Sequence, residues 1–376
     1  MRSLGTVTKI LTVVGARPQF IKAAVVLRAL QAFNELRPPD RRLQDVLVHT
    51  GQHYDENMSA LFFQELNIPP PAHHLGIGSG PHGQQTGRML EALERVMAGE
   101  RPDLVVVYGD TNSTLAGALA ASKLGIPVAH VEAGLRSYNR AMPEETNRVI
   151  ADHLSTLLFC PTTRAAKNLG CEGIDGGVHL VGDVMYDSLL YHLERADRRL
   201  GLLTGLGLRP GAYGLATVHR AETTDRPETL KAIFSALGRI GLPIVVPLHP
   251  RTRAALNEVG LNQPSGDVRL VPPVSYLEML TLARHARLIL TDSGGVQKES
   301  FLLRVPCITL RNETEWVETV EAGWNRLAGT DPEAVVTAAH QSLDGIPPEP
   351  GRPYGDGHAA EAILEIVAGY GEGKRV

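Results

Sequence analysis

Short runs rich in β-branched residues alternate with helix-length patterns along almost the whole chain, and this alternation constrains the fold more than any other feature. The runs include "ILTVVG", "DVLVHTG", "LVVVYGD", "IPVAHVE", "LLFCPT" and "VHLVGD", then "YGLATVHR", "LPIVVPLH", "VRLVPPV", "LILTDSGG" and "VPCITL". Most do not alternate apolar with polar residues, which is the pattern of parallel strands covered on both faces. Between them lie "PQFIKAAVVLRALQAF", "TLAGALAASKLG", "PETLKAIFSALGRI" and "SYLEMLTLARHA". Strand–helix repetition on this scale predicts an α/β chain with doubly wound parallel sheets.

The rhythm breaks between Asp183 and Gly211, where "VMYDSLLYHLERADRRL" runs into "GLLTGLGLRPGAYG" before a fresh strand begins. A chain of 376 residues also exceeds what one hydrophobic core usually covers. Two Rossmann-like domains are therefore expected, over 1–185 and 186–357. The tail helix in 358–376 is expected to pack back on the first.

A formal charge of −4 gives no electrostatic case for nucleic acid or an anionic membrane surface. No stretch approaches the ~20 apolar residues of a membrane helix. "KILTVVGARPQF" is interrupted by Arg17 and reads as a buried first strand. Cys160, Cys171 and Cys307 show no ligand-like spacing. Buried free thiols in a reducing cytoplasm account for them better than a disulfide framework. No Cys/His spacing suggests a metal site.

In doubly wound sheets ligands gather beyond the carboxyl ends of the strands, so polar residues that close apolar runs are the candidates. Ser293, Gly294 and Gly295 follow one such run and open a helix, whose amino end suits an anion. Glu299, one turn in, is placed to accept from ribose hydroxyls. The plainer alternative is an ordinary turn with a serine cap. Arg17 opens another helix ahead of Pro18, with Lys22 nearby, and its planar fork suits a diphosphate. Asp110 closes "VVVYGD" and reads either as a site residue or as a helix cap. Glu132 closes "VAHVE", a poor place for a charge outside a binding site. Glu144 and Glu145 open a helix, with Arg148 one turn after Glu144, as function or as dipole and ion-pair chemistry. His219 and His249 end strands of the second domain, each with arginines after it. The turn at Ser293 does not follow the GxGxxG pattern, and GxxxxGK[ST] does not occur in the chain, so a dinucleotide cofactor or P-loop chemistry is poorly supported.

Taken in order, "GARPQFIK", "TGQHYDE", "GDTNSTLAG", "HVEAGLRS", "MPEETNR", "HRAET", "LTDSGGVQKE" and "PYGDG" closely resemble the non-hydrolysing UDP-N-acetylglucosamine 2-epimerases. The resemblance implies the two-domain GT-B fold with an active site between the domains, no cofactor, and a homodimer. It also implies a cytoplasmic enzyme that supplies cell-surface polysaccharide. Asp110, Glu132, Glu144 and His219 fall on the acid–base positions. Arg17, His249, Met279, Ser293, Gly294, Gly295 and Glu299 fall on UDP-binding ones, and Lys22 is counted with them for the charge it adds near Arg17. Three positions depart: Gln19 where the family has Glu, Tyr54 where it has Arg, and Ala221 where it has a second Arg. In many bacterial members the segment around Tyr54 contributes to an allosteric UDP-N-acetylglucosamine site. "LGIGSGPHGQQTGRML" is similar to the branch acting on the 2,3-diacetamido uronate form of the sugar. Other readings of the same chain are a GT-B glycosyltransferase and a non-catalytic nucleotide-sugar binder.

Overall fold

The computed structural model describes residues 9–52, 66–197, 199–345 and 347–370. His53 and Tyr54, and with them the expectation about a second sugar site, lie outside these residues.

The chain divides into two compact units. Unit one is residues 1–190 with 352–376, and unit two is 191–351. Among the described residues, unit one is built on a sheet of β1 (Lys9–Val14), β2 (Gln44–His49), β3 (His73–His74), β4 (Leu104–Tyr108), β5 (Val128–Val131), β6 (Leu157–Cys160) and β7 (Val178–Leu180). The spatial order is β3-β2-β1-β4-β5-β6-β7, and every pairing is parallel. Unit two carries β8 (Gly214–Thr217), β9 (Ile244–Pro247), β10 (Val268–Val271), β11 (Leu288–Thr291), β12 (Cys307–Thr309) and β13 (Asn325–Leu327). Its order is β10-β9-β8-β11-β12-β13, again parallel.

The even apolar runs follow from burial on both faces of each sheet. In unit two Ala216, Val246, Leu290 and Ile308 face one core, while Leu215, Val245, Ile289 and Cys307 face the other. Cys160 and Cys307 are buried free thiols, and burial raises both to about 12. Cys171 is exposed. Helix Ala359–Gly369 packs against helix Arg17–Glu35 within unit one. Each sheet reverses its winding once, between β1 and β4 and between β8 and β11. Such switch points are where doubly wound sheets open a crevice beyond the strand ends.

One half-buried acid lies away from those crevices. Asp45, early in β2, accepts from the Thr12 hydroxyl at 2.6 Å. Burial raises its carboxyl from 3.8 to about 7 against the pull of that hydrogen bond. The folded state thus holds a proton that the unfolded chain releases near its ordinary value. The stabilisation from that proton is complete below pH 4 and is lost as pH rises through 7. Asp45→Asn, neutral at every pH, should outlast the parent in urea at pH 9 by about 1–2 kcal/mol and show a smaller gain at pH 5. Equal gains at the two pH values would refute the cause assigned here.

Candidate active site

At the switch point of unit one the chain leaves β1 through Gly15 and Ala16 into helix Arg17–Glu35. Gln19 is buried there, accepting from the amides of Gly15 and Ala16 at 2.8 and 3.1 Å. Its side-chain amide donates to the Tyr108 carbonyl at 2.9 Å and to the Thr114 hydroxyl at 3.0 Å. Those two donations suit an amide, whereas an ionised carboxylate has no proton to give. Arg17 is the first helical residue and is half-buried. Lys22, one turn on, is buried and forms an ion pair with Glu132.

Glu132 follows β5 directly, is buried, and has a left-handed backbone with φ 73°. A non-glycine residue in that region is uncommon and costs about 1 kcal/mol or more, a strain that recurs at functional sites. Asp110 leaves β4 through Gly109 and forms an ion pair with Arg148. The helix beginning at Asn112 is capped by Thr111, whose hydroxyl accepts from the Thr114 amide. Asp110 is therefore not that helix's cap. Asn147 donates to the Asp110 carbonyl at 2.9 Å, which fixes the turn from the other side.

The two adjacent glutamates of helix Pro143–Leu154 have opposite environments. Glu145 is buried and saturated: it accepts from Ser137 N and Oγ at 2.9 and 2.8 Å, from Tyr138 N at 2.9 Å, and pairs with Arg148 at 3.0 Å. Arg148 thus serves Glu145 and Asp110, and the ion pair expected with Glu144 is not formed. Glu144 is half-buried and makes no hydrogen bond or ion pair with the described residues. It keeps its acceptor capacity for something else.

In unit two His219 and Arg220 follow β8. The fully buried Asp292, at the end of β11, accepts from the His219 amide at 2.9 Å and the Arg220 amide at 3.0 Å. Its other oxygen lies 3.5 Å from His219 Nδ1. His249 caps helix Pro250–Glu258, its Nδ1 accepting from the Arg251 amide at 3.2 Å. The two imidazoles sit 5.9 Å apart between ring centres. Ser293 precedes helix Gly294–Leu302, but its hydroxyl caps no amide there. Its amide donates instead to the Thr291 hydroxyl at 2.9 Å. The serine-cap alternative is thereby set aside.

Gly294 is small because a Cβ there would come within 2.5 Å of Glu315 Oε1 and 3.2 Å of Trp316 Nε1. Lys298 is buried with its ammonium 3.9 Å from the centre of the Trp316 ring, and Glu299 is buried beside it in the sequence. Met279 lies in helix Tyr276–His285 and packs partly buried against the Leu282 and Ala283 core.

The structure thus gathers Lys22, Asp110, Glu132 and the surroundings of Glu144 in unit one, and His219, His249 and the Ser293–Gly295 turn in unit two. Asp292 was visible in the sequence as the acid closing "LILTD". Its role was not, because its partners are 72 and 73 residues away. Nothing in the sequence marks the wiring of Gln19 or the close approach of Glu315.

A carboxylate set at one switch point and a histidine pair beside a glycine-led helix end at another define an α/β enzyme of two Rossmann-like units, the GT-B type. A family model described as UDP-N-acetylglucosamine 2-epimerase matches residues 37–368, and the chain belongs to that family of epimerases. It is similar to the UDP-2,3-diacetamido-2,3-dideoxy-D-glucuronate 2-epimerase of Pseudomonas aeruginosa, 49% identical over 96% of this chain and 99% of that one. It is also similar to the UDP-N-acetylglucosamine 2-epimerase of Methanocaldococcus jannaschii, 44% identical over 97% of this chain and 100% of the relative. The crystal structure of a Methanocaldococcus jannaschii UDP-GlcNAc 2-epimerase in complex with UDP-GlcNAc and UDP superposes with a TM-score of 0.87, at 44% identity, over 96% of this chain and 99% of that one.

Proposed function

We propose that the chain interconverts UDP-N-acetylglucosamine and UDP-N-acetylmannosamine without net hydrolysis. The C-2 hydrogen has no adjacent carbonyl to acidify it. Breaking the anomeric C–O bond first places positive charge on the ring and makes that hydrogen removable. UDP leaves with the bonding pair, a base takes the C-2 proton, and 2-acetamidoglucal remains. Returning a proton to the opposite face of C-2 and the UDP oxygen to C-1 completes the epimerisation, so atoms balance with no external reagent.

The observation that carries this reading is the trio of carboxylates with three distinct environments: Glu132 paired with Lys22, Asp110 paired with Arg148, and Glu144 unpartnered among the described residues. Two-faced proton work needs acids and bases held apart in proton affinity, and unlike surroundings supply that separation. The departing diphosphate needs cations and aligned amides; Arg17, His249 and Ser293–Gly295 are assigned to it, Met279 to the uracil and Glu299 to the ribose. Cytoplasmic location, a homodimer and a product destined for cell-surface polysaccharide complete the proposal and rest on family membership alone.

A second substrate, the 2,3-diacetamido uronate, is favoured by the 49% identity to the Pseudomonas aeruginosa relative. Incubation of pure protein with each sugar nucleotide in heavy water decides between them. Deuterium at C-2 with a mixture of epimers is expected from the true substrate. Absence of exchange with both would sink the epimerase proposal. Arg17→Ala should weaken UDP binding about tenfold, or roughly 1.4 kcal/mol, in a calorimetric titration. Unchanged affinity would remove Arg17 from the diphosphate.

A further inference from the structure

Two residues before Glu132, the imidazole of His130 is fully buried in unit one and is held at both nitrogens. Nδ1 lies 2.7 Å from Asp152 Oδ1 and Nε2 lies 2.7 Å from the Gly109 carbonyl. A carboxylate and a carbonyl are both acceptors, so both contacts are hydrogen bonds only when the ring carries both protons. Asp152, from helix Pro143–Leu154, is buried as well. Its second oxygen accepts from the Gly134 amide at 3.1 Å and from Arg136 Nη1 at 2.7 Å. Burial opposes its ionisation, but the charges and hydrogen bonds of His130 and Arg136 outweigh burial and hold the carboxyl below its usual range. Arg136 is itself fixed by a two-pronged contact to Glu172, at 2.6 and 2.8 Å.

The position of this pair matters more than its charge. Gly109 is the residue before Asp110, and its amide donates to the Val131 carbonyl, next to Glu132, at 3.0 Å. Gly134 is two residues after Glu132. A single line of hydrogen bonds therefore runs from the turn that carries Asp110, through the ring and the carboxylate, to the turn that carries Glu132. Buried ion pairs are an expensive way to fill space, since well-packed apolar residues often serve stability as well or better. What such a pair supplies is fixed direction at both ends, as groups behind a reacting centre do.

We infer that His130 and Asp152 are a positioning pair that sets the Asp110 turn against the Glu132 turn for proton transfer. The inference rests on the epimerase reading above. Neither residue is assigned a contact with the sugar; both act through the backbone at Gly109 and Gly134.

The test is a double-variant cycle on the full chain. His130→Gln leaves an amide oxygen facing one of the two acceptors, so one end of the line is broken. In the His130→Gln, Asp152→Asn double variant, donors and acceptors match again without charge. The Asn oxygen accepts from Gly134 and Arg136, its amide donates to the Gln oxygen, and the Gln amide donates to Gly109. For the single variant we expect kcat to fall about 10–100-fold while KM and UDP affinity stay within about threefold. For the double variant we expect kcat within about tenfold of the parent, above the single variant, as coupled neighbours behave. All values are taken per folded protein, judged by thermal melting.

A single variant with kcat within about twofold of the parent, or a double variant no faster than the single, would overturn the inference. If His130→Gln does not fold, a folded double variant within about tenfold of the parent supports it, and a slower one overturns it. A role in stability alone would lower the melting temperature of both variants and leave kcat per folded protein unmoved. A parent enzyme with no C-2 exchange on either sugar would instead count against the epimerase reading.

Discussion

Glu132→Gln is expected to reduce deuterium incorporation at C-2 by about three orders of magnitude, to background, while UDP affinity changes by less than about tenfold. The substitution keeps the shape and removes the charge. Glu132 is the most firmly held of the candidate carboxylates: it sits buried at a strand end, in a strained backbone conformation, against the ammonium of Lys22. An amide there can neither take the C-2 proton nor return one. The measurement must separate lost chemistry from lost fold, because Lys22 keeps a buried positive charge when its partner is neutralised. Breaking a buried pair on one side costs about 3–5 kcal/mol in many proteins. Lys22→Met with Glu132→Gln removes both charges; it should recover stability and remain inactive. Recovery of exchange in that double variant would show that Glu132 only neutralises Lys22. Loss of UDP binding with the single variant would move Glu132 from proton transfer to ligand binding.

The strands that carry the site were legible because a parallel sheet buried on both faces forces a run of β-branched residues, and the polar residue after such a run stands out. Asp110, Glu132, His219 and the Ser293 turn were picked out as candidates in this way. Two edge strands were not: β3 is His73–His74 and β13 is Asn325–Leu327, and neither holds a β-branched residue, whereas the equally short edge strand β7 was read from its apolar run. Partners distant in the chain were also out of reach. Lys22 meets Glu132 and Asp292 meets His219 because neighbouring strands and helices bring their ends together, and no local spacing encodes that. The pair Glu144 and Glu145 shows the limit most plainly. The two are adjacent, chemically identical and both in the first turn of one helix, yet one faces inward to bind the Ser137–Tyr138 turn and Arg148 and the other does not. Similarity to a family selected Glu144; only the fold shows that Glu145 is already satisfied. The departure at Gln19 is explained in the same terms, since its amide donates two hydrogen bonds toward the end of β4 and the helix after it.

Gly134→Ala is expected to be among the most destabilising single-methyl changes in unit one, at about 3 kcal/mol or more. Gly134 has φ 81°, and a Cβ on it would lie 2.3 Å from the Ala165 carbonyl oxygen and 2.7 Å from its carbon. Those atoms belong to helix Thr163–Cys171, so no side-chain rotation relieves the contact. The turn cannot step aside either: its amide donates to Asp152 at 3.1 Å and its carbonyl accepts from Asn168 at 2.9 Å. Gly173→Ala is the internal comparison, because Gly173 has φ 78° and nothing within 4 Å of its added Cβ. It should lose only the left-handed penalty, about 1 kcal/mol. For a unit of this size each kcal/mol lowers the melting temperature by roughly 2–4 °C. Gly134→Ala should therefore melt at least about 4 °C below Gly173→Ala. Exchange at C-2 by the surviving fold should fall as well, because relief of the contact displaces the turn that starts at Glu132. Equal melting of the two variants would mean that helix Thr163–Cys171 yields easily. In that case the strained turn at Glu132 would not be held from behind as rigidly as its hydrogen bonds indicate.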